Sequence, residues 1–253
     1  MMRQKGRAKP SDPRLLSDVL DAYRKDDNVF VHVGLSQIKA AFDENPYDFL
    51  MKRLRQHFSG IITPGFTPSF RQTGLYHKLY SVPEYGKFSA LFLKDATFRT
   101  DDPIHSLLAY GNYRFENSYT REAFGRGSSF DQLDRDNILC LSIGTRWPVS
   151  SQKHFIEYRN QLPYVEKAIF DGIIYYDKSH HEKITTINYY RKHWFNKYVT
   201  LLWNNYKIAR QMEKSGVMES WNVGGVMIYA FRMQEMRVFL EEKFKKDPYY
   251  LFT

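Results

Sequence analysis

Asn28-Val29-Phe30-Val31-His32-Val33-Gly34-Leu35-Ser36 sets the architecture of the chain. A run of β-branched and aromatic residues makes a buried strand, and a glycine stops it. Asn45-Pro46 then opens a helix that carries Phe49, Leu50, Leu54 and Phe58 on one apolar face. Gly60-Ile61-Ile62-Thr63-Pro64 is the next short strand. Strand, helix and strand with short connections predict a layered α/β fold. Upstream, Ser11-Asp12-Pro13 precedes Leu15, Leu16, Val19, Leu20 and Tyr23, the pattern of an N-capped amphipathic helix with Pro in its first turn.

Downstream, the chain from Thr67 to Phe98 is aromatic, polar and irregular, the character of a pocket wall or lid. Ile104 to Tyr110 reads as helix-like, Phe130 to Leu133 as a short helix, and Ile138 to Ile143 as an apolar strand stopped by Gly144. In the last third, Lys183 to Tyr198 reads as a long strand and Trp203 to Lys214 as a helix. Val217 to Phe231 reads as a strand bulged at Gly224-Gly225, and Met233 to Lys245 as the final helix. No linker or repeat divides the chain. The expectation is one domain over 1–253, with an α/β core at 10–172. Antiparallel strands and C-terminal helices at 173–253 then complete a mixed sheet.

With 253 residues, 43% of them hydrophobic and 17% aromatic, the chain can bury a sizeable core. No apolar run reaches the roughly 20 residues of a membrane span. The basic opening Met1-Met2-Arg3-Gln4-Lys5-Gly6-Arg7 has no apolar segment behind it, so a cytoplasmic location is expected. The one cysteine, Cys140, lies inside the apolar strand and reads as packing. Thirty-seven Lys and Arg against 28 Asp and Glu give a net charge of +9, a field that attracts anions and opposes a polycationic substrate. The cations are spread along the chain and no nucleic-acid motif is present, so small polyanions are favoured over nucleic acid.

Ser150-Ser151-Gln152-Lys153-His154-Phe155-Ile156-Glu157-Tyr158 follows the Gly144-ended strand. On a helix, His154 and Glu157 share a face near the end of a buried strand. A carboxylate can fix the tautomer of an imidazole that acts as a general base; the plain alternative is a surface ion pair. Gly125-Arg126-Gly127-Ser128-Ser129 reads equally as an anion cradle or as a glycine-rich turn with a serine cap. Arg99-Thr100-Asp101-Asp102-Pro103-Ile104-His105-Ser106 offers carboxylates and an imidazole for an amine, although capping explains the acidic pair as well. With no further His or Cys at ligand spacing, no metal is expected. His180-His181 reads as solvated, and Tyr189, Tyr190, Trp194 and Phe195 as packing in preference to a base-stacking platform.

Taken in order, these segments resemble the aminoglycoside 3-N-acetyltransferase family. The Val-His-x-x-Leu-Ser strand end is Val31 to Ser36, and the Gly-x-x-x-x-Pro-x-Phe-Thr turn runs from Gly60 to Thr67. Pro83 to Gly86 echoes a Pro-x-x-Gly segment, and Arg99 to Ser106 followed by Gly111 matches the middle motif. Phe124 to Phe130 matches the glycine loop with Ser129 in place of Pro, Ser151 to Glu157 matches Thr-x-x-His-x-x-Glu, and Asp247 to Leu251 matches the Asp-Pro-x-x-Leu ending.

The resemblance implies a three-layer α/β/α sandwich with a central mixed sheet, and direct acyl transfer from acetyl-CoA or another short-chain acyl-CoA to an amine. It implies His154 as the base, Glu157 as its orienting partner and Ser151 as a hydroxyl donor at the thioester. CoA would lie against His32, Gly34, Leu35, Ser36, Arg99, Arg126, Gly127, Ser128 and Ser129. The acceptor would meet Thr67, Asp102, His105 and Glu116.

Departures from the family pattern bear on the substrate. Asp102-Pro103 stands where drug-modifying members show His-Pro, and resembles relatives associated with surface-polysaccharide biosynthesis. Val33 and Gly34 replace small serines at the CoA strand end. The expected acceptor is therefore an amino sugar, nucleotide-linked, in place of an aminoglycoside drug, the alternative. No nucleic acid and no membrane insertion are expected, and a homodimer stays open.

Overall fold

The computed structural model describes residues 11–192 and 198–252. The opening segment and the aromatic pair Trp194 and Phe195 lie outside the described residues. The first layer begins with α1 (Arg14–Asp21). Strand β1 (Asn28–Val33) runs into α2 (Leu35–Ala41), and α3 (Pro46–His57) leads to β2 (Gly60–Pro64). Asn45 caps α3 as its sequence predicts: its side chain accepts from the Tyr47 amide at 3.0 Å, with Pro46 in the first turn. Helix α2 was not anticipated, because seven residues are too few to show a period.

The irregular segment after β2 holds α4 (Phe70–Thr73), β3 (Leu75–His77), α5 (Lys87–Phe92) and β4 (Phe98–Arg99). The helix expected at 104–110 is a correction. Ile104 and His105 lie in a turn, and Leu107–Gly111 is strand β5, paired antiparallel with β2 from Leu107↔Pro64 to Gly111↔Gly60. Leu107, Leu108 and Ala109 are all buried, so the run is apolar on both faces and carries no period to separate strand from helix. Then come α6 (Ser129–Arg135), β6 (Leu139–Ile143) and α7 (Gln152–Arg159).

The last third contains β7 (Val165–Tyr175), β8 (His181–Arg191), α8 (Tyr198–Lys214), β9 (Met218–Val223), β10 (Val226–Arg232) and α9 (Met233–Lys246). The expected strand to Tyr198 ends at Arg191. The expected bulge at Gly224-Gly225 is instead a two-residue hairpin turn, with φ of +59° and +90°, between β9 and β10.

The central sheet has seven strands in the order β4-β5-β2-β1-β6-β10-β9. Strands β2, β1 and β6 are parallel, and β5, β4, β10 and β9 are antiparallel additions, so the sheet is mixed. Alternation along β1 sorts its side chains. Val29 and Val31 pack with α1, α2, α3 and α5 on one face, while Phe30 packs with α6, α7 and α9 on the other. Helices on both faces make the three-layer α/β/α sandwich. Not all of 173–253 completes this sheet. Strand β8 pairs along its whole length with β7, and with β3 they form a separate three-stranded sheet.

Candidate active site

Strand β1 lies between β2 and β6, so the connections from its neighbours leave to opposite sides and open a crevice beyond the carboxyl ends of the parallel strands. The backbones of β1 and β6 cross closely there. The Gly34 amide donates to Ile143 O at 2.8 Å, and a Cβ on Gly34 would fall 2.3 Å from Gly144 O, so a side chain would force the strand ends apart. The crevice is a cleft of about 830 Å³ walled by His32 and Val33 from β1, Pro64 from β2, and Ser150, Ser151 and His154 around the start of α7. The second sheet closes it with Phe170, Tyr189, Tyr190 and Arg191.

Helix α7 places His154 and Glu157 one turn apart. His154 is 36% exposed at the cleft wall, whereas Glu157 is fully buried behind it. The Nδ1–H of His154 donates to Glu157 Oε2 at 3.0 Å; a carboxylate only accepts, so the Nε2 lone pair is left free. Tyr189 also donates to Oε2, at 2.7 Å, and Tyr164 donates to Oε1 at 3.0 Å. The Arg191 guanidinium reaches Oε1 through Nη2 at 2.8 Å and Nε at 3.1 Å. Burial alone would raise the Glu157 carboxyl, but the Arg191 charge and these donors outweigh it and bring it to about 2. Burial holds the His154 imidazole below its ordinary 6.5, against the opposing pull of Glu157, so the ring is neutral at neutral pH. A neutral imidazole with a fixed tautomer and a free lone pair can take a proton.

The floor of the cleft fixes the start of α7. His32 shares the face of β1 with Phe30, and its Nε2 accepts from the Ser151 amide at 3.3 Å. Burial, with Lys153 and His154 nearby, drives His32 down to about 3, so it serves as a neutral acceptor. Ser151 sits at the N-cap of α7 without capping it, which leaves its hydroxyl at the cleft wall. Between β6 and α7 the Ser142 and Thr145 hydroxyls meet at 2.7 Å, and the Val149 amide donates to Ser142 at 3.0 Å, shaping the loop that delivers Ser150 and Ser151.

The structure thus gathers His154, Glu157, Ser151, His32 and His105 at one cleft, with Gly34 beneath it. Other sequence-assigned residues stand away from the cleft lining or are engaged elsewhere. Arg99, assigned to CoA, is buried and committed to backbone: it donates to Gly65 O at 2.7 Å, Ser81 O at 2.5 Å and Lys78 O at 3.2 Å. None of Arg126, Gly127, Ser128 and Ser129 lines the cleft. That loop closes on its own helix, with the Asp131 amide donating to Ser128 Oγ at 3.2 Å and the Gly127 amide to Asp131 Oδ2 at 2.8 Å. Leu35 and Ser36 belong to α2 and stand off the cleft lining.

Among the acceptor assignments, Thr67 is buried and donates to Pro103 O at 2.7 Å, pinning one turn to the next. Asp102 is buried and caps that turn by accepting from the Ile104 amide at 2.9 Å and the His105 amide at 2.5 Å. Glu116 pairs at the surface with Arg135 at 2.6 Å. Of the acceptor set only His105 reaches the cleft. The glycine loop contributes one neighbour, Phe124, whose ring packs 4.8 Å from His105 and 6.4 Å from His154.

The sequence pattern of aminoglycoside 3-N-acetyltransferases matches residues 69–245. The chain belongs to the aminoglycoside 3-N-acetyltransferase family. Solved structures share its fold at low identity. The YokD protein from Bacillus subtilis is 17% identical, with a TM-score of 0.75 and 95% of each chain covered. Aminoglycoside acetyltransferase AAC(3)-Xa is 16% identical, with a TM-score of 0.76, covering 94% of this chain and 93% of its own. AAC-IIIb in binary complex with CoASH is 14% identical, with a TM-score of 0.75, covering 94% and 98%. No curated protein sequence matches the chain. Membership makes this acetyltransferase-family protein an enzyme of acyl transfer.

Sequence reading missed most of the residues that surround the dyad in this acetyltransferase. Tyr189 reads in the sequence as packing, and nothing there marks Arg191, Tyr164, Asn188 or Arg71. Two residues apart on β8, Tyr189 and Arg191 share the face turned to Glu157, a parity visible only once the strand itself is recognised. Among the described residues no helix is long and apolar enough to cross a membrane.

Proposed function

We propose that the enzyme is an acyl-CoA-dependent N-acyltransferase acting on the amine of an amino sugar, nucleotide-linked and destined for a surface polysaccharide. The observation that carries the acceptor class is the charge of the cleft. The charged side chains on its lining are Arg71 and Arg191, the latter paired with Glu157 behind the wall, beside the neutral imidazoles of His32, His105 and His154, and no Asp or Glu lines it among the described residues. A polycationic aminoglycoside needs carboxylates to replace the water it loses on binding. A sugar bearing a diphosphate meets complementary charge here, and the net charge of +9 draws both it and CoA to the molecule. A cleft of about 830 Å³ has room for an acylated thiol arm and one sugar.

The reaction is direct transfer. His154 Nε2 takes a proton from the amine as its nitrogen attacks the thioester carbonyl carbon; a C–N bond forms, the C–S bond breaks, and the thiolate leaves to be protonated as free CoA. Glu157 keeps the His154 proton on Nδ1 and stabilises the imidazolium formed in the step. The Ser151 hydroxyl is in reach of the same wall and supplies a donor to the thioester oxygen or the departing sulfur. The family's name favours a second reading, in which the acceptor is an aminoglycoside; the absence of carboxylates from the cleft lining opposes it.

Thiol release tests both readings. Acetyl-CoA with a nucleotide-linked amino sugar should release thiol, and His154→Ala should lower the rate by about 10²- to 10⁴-fold while circular dichroism stays unchanged. Turnover with a 2-deoxystreptamine drug and none with any nucleotide-linked amino sugar would replace the first reading by the second.

A further inference from the structure

We propose that His105, Asn188 and Arg71 form a subsite that binds an oxyanion carried by the acceptor, and that Asn188 fixes His105 as a hydrogen-bond donor instead of a second base. The inference rests on the acyl-transfer reading and adds which residues would hold the acceptor's anionic group, a phosphate or a carboxylate.

Asn188 is buried on β8, and its amide orientation is decided by its neighbour. The Tyr189 backbone amide donates to Asn188 Oδ1 at 2.8 Å, which an NH₂ group in that place could not accept. Asn188 Nδ2 therefore faces His105 Nδ1, 2.9 Å away, and donates to it. With that lone pair engaged, the neutral ring carries its hydrogen on Nε2. The rings of Phe66 and Phe124, each 4.8 Å from the imidazole, hold its plane. Nε2 has no protein partner among the described residues, and His105 lines the cleft.

Arg71 reaches toward the same amide oxygen, its Nη2 3.4 Å from Asn188 Oδ1, and lines the cleft beside His105. One buried amide thus organises a neutral donor and a cation on one wall. A second ammonium group of a polyamine would meet donors only, whereas a phosphate or carboxylate oxygen would find the Nε2–H and the guanidinium together. Two of the three imidazoles that line the cleft then have opposite duties. His154 presents a lone pair because Glu157 accepts its Nδ1–H; His105 presents an N–H because Asn188 donates to its Nδ1.

Calorimetry on the full chain without acyl-CoA separates this inference from the catalytic reading, since no turnover is needed. The probes are glucosamine, glucosamine 1-phosphate and glucosaminuronic acid. At least one of the two anionic sugars should bind about tenfold or more tightly than glucosamine, and which one does tells phosphate from carboxylate. Arg71→Gln and His105→Leu should each shrink that preference, and His105→Gln, which retains a donor, should keep part of it. Nitrogen-15 spectra of the imidazoles should show His105 as the Nε2–H tautomer, and Asn188→Asp should move the proton to Nδ1 and weaken anionic-sugar binding. Equal affinity for the three sugars, no binding of any, or an Nδ1–H tautomer in the unsubstituted protein overturns the subsite. The transfer of acyl groups to neutral amines would survive that result.

Discussion

The seven-stranded sheet and the three-stranded sheet meet at the cleft and supply different things to it. The larger sheet brings the groups proposed to react: β1 carries His32 next to its last residue, and β6 leads through a short loop to Ser151 and His154. The smaller sheet brings almost no group that reacts, yet Tyr189 and Arg191 come from the end of β8 and set the charge of Glu157. Asn188 sets the tautomer of His105 from the same three residues of strand. The lesson is physical. A dyad at the end of a parallel strand becomes a defined base only when its carboxylate is held ionised, and burial by itself would do the opposite.

Removing that hold is the largest expected effect. Glu157→Gln leaves the Arg191 cation buried without its counter-charge, which costs about 3 to 5 kcal/mol of unfolding free energy. Urea denaturation measures it, and adding Arg191→Met should recover part of the loss. If Glu157→Gln alone is neutral, the small sheet does not tune the dyad.

Acid gives the next test of the same contrast. Glu157 titrates near 2 in the fold and near 4.5 when unfolded, a depressed value. The stability it contributes is full above about 4.5 and is lost as pH falls toward about 2. The pH dependence of unfolding in that window should be shallower in Glu157→Gln, and identical curves would reject the clamp. Activity should behave separately. Because burial lowers His154 from 6.5, the acyl-transfer rate should hold down through that value and fall only at lower pH.

The smallest effect lies away from both contributions. Ser128→Ala removes the cap of α6 and should cost about 1 kcal/mol of stability. The KM for acyl-CoA should not move. A rise in KM with stability unchanged would return the Gly125–Ser129 loop to the cofactor.

Much of the central sheet was legible because its strands are short apolar runs closed by glycine or proline, and because the Asn45-Pro46 cap marks a helix start without ambiguity. The Leu107–Gly111 strand was not, since a segment buried on both faces has no polar side to count. The dyad was legible from its i, i+3 spacing and its place after the Gly144-ended strand. The glycine loop stayed ambiguous, because Ser128-x-x-Asp131 satisfies its own amides as a capping pair would, and the same residue types could equally cradle a phosphate. The engagement of Arg99 was not legible for a related reason: the three carbonyls it reaches come from residues 18 to 34 positions away.

The layered fold, the family and the spacing of the His154–Glu157 pair were all written in the chain, because alternation, capping and residue order are local properties that survive in one dimension. Tertiary structure alone decided which charges face the cleft and which protonation states the imidazoles hold. Those depend on strand β8 passing α7 at one register, with Tyr189 and Arg191 turned toward Glu157 and Asn188 toward His105. A shift of one residue would exchange the two faces and undo both arrangements, and no spacing in the chain records that choice.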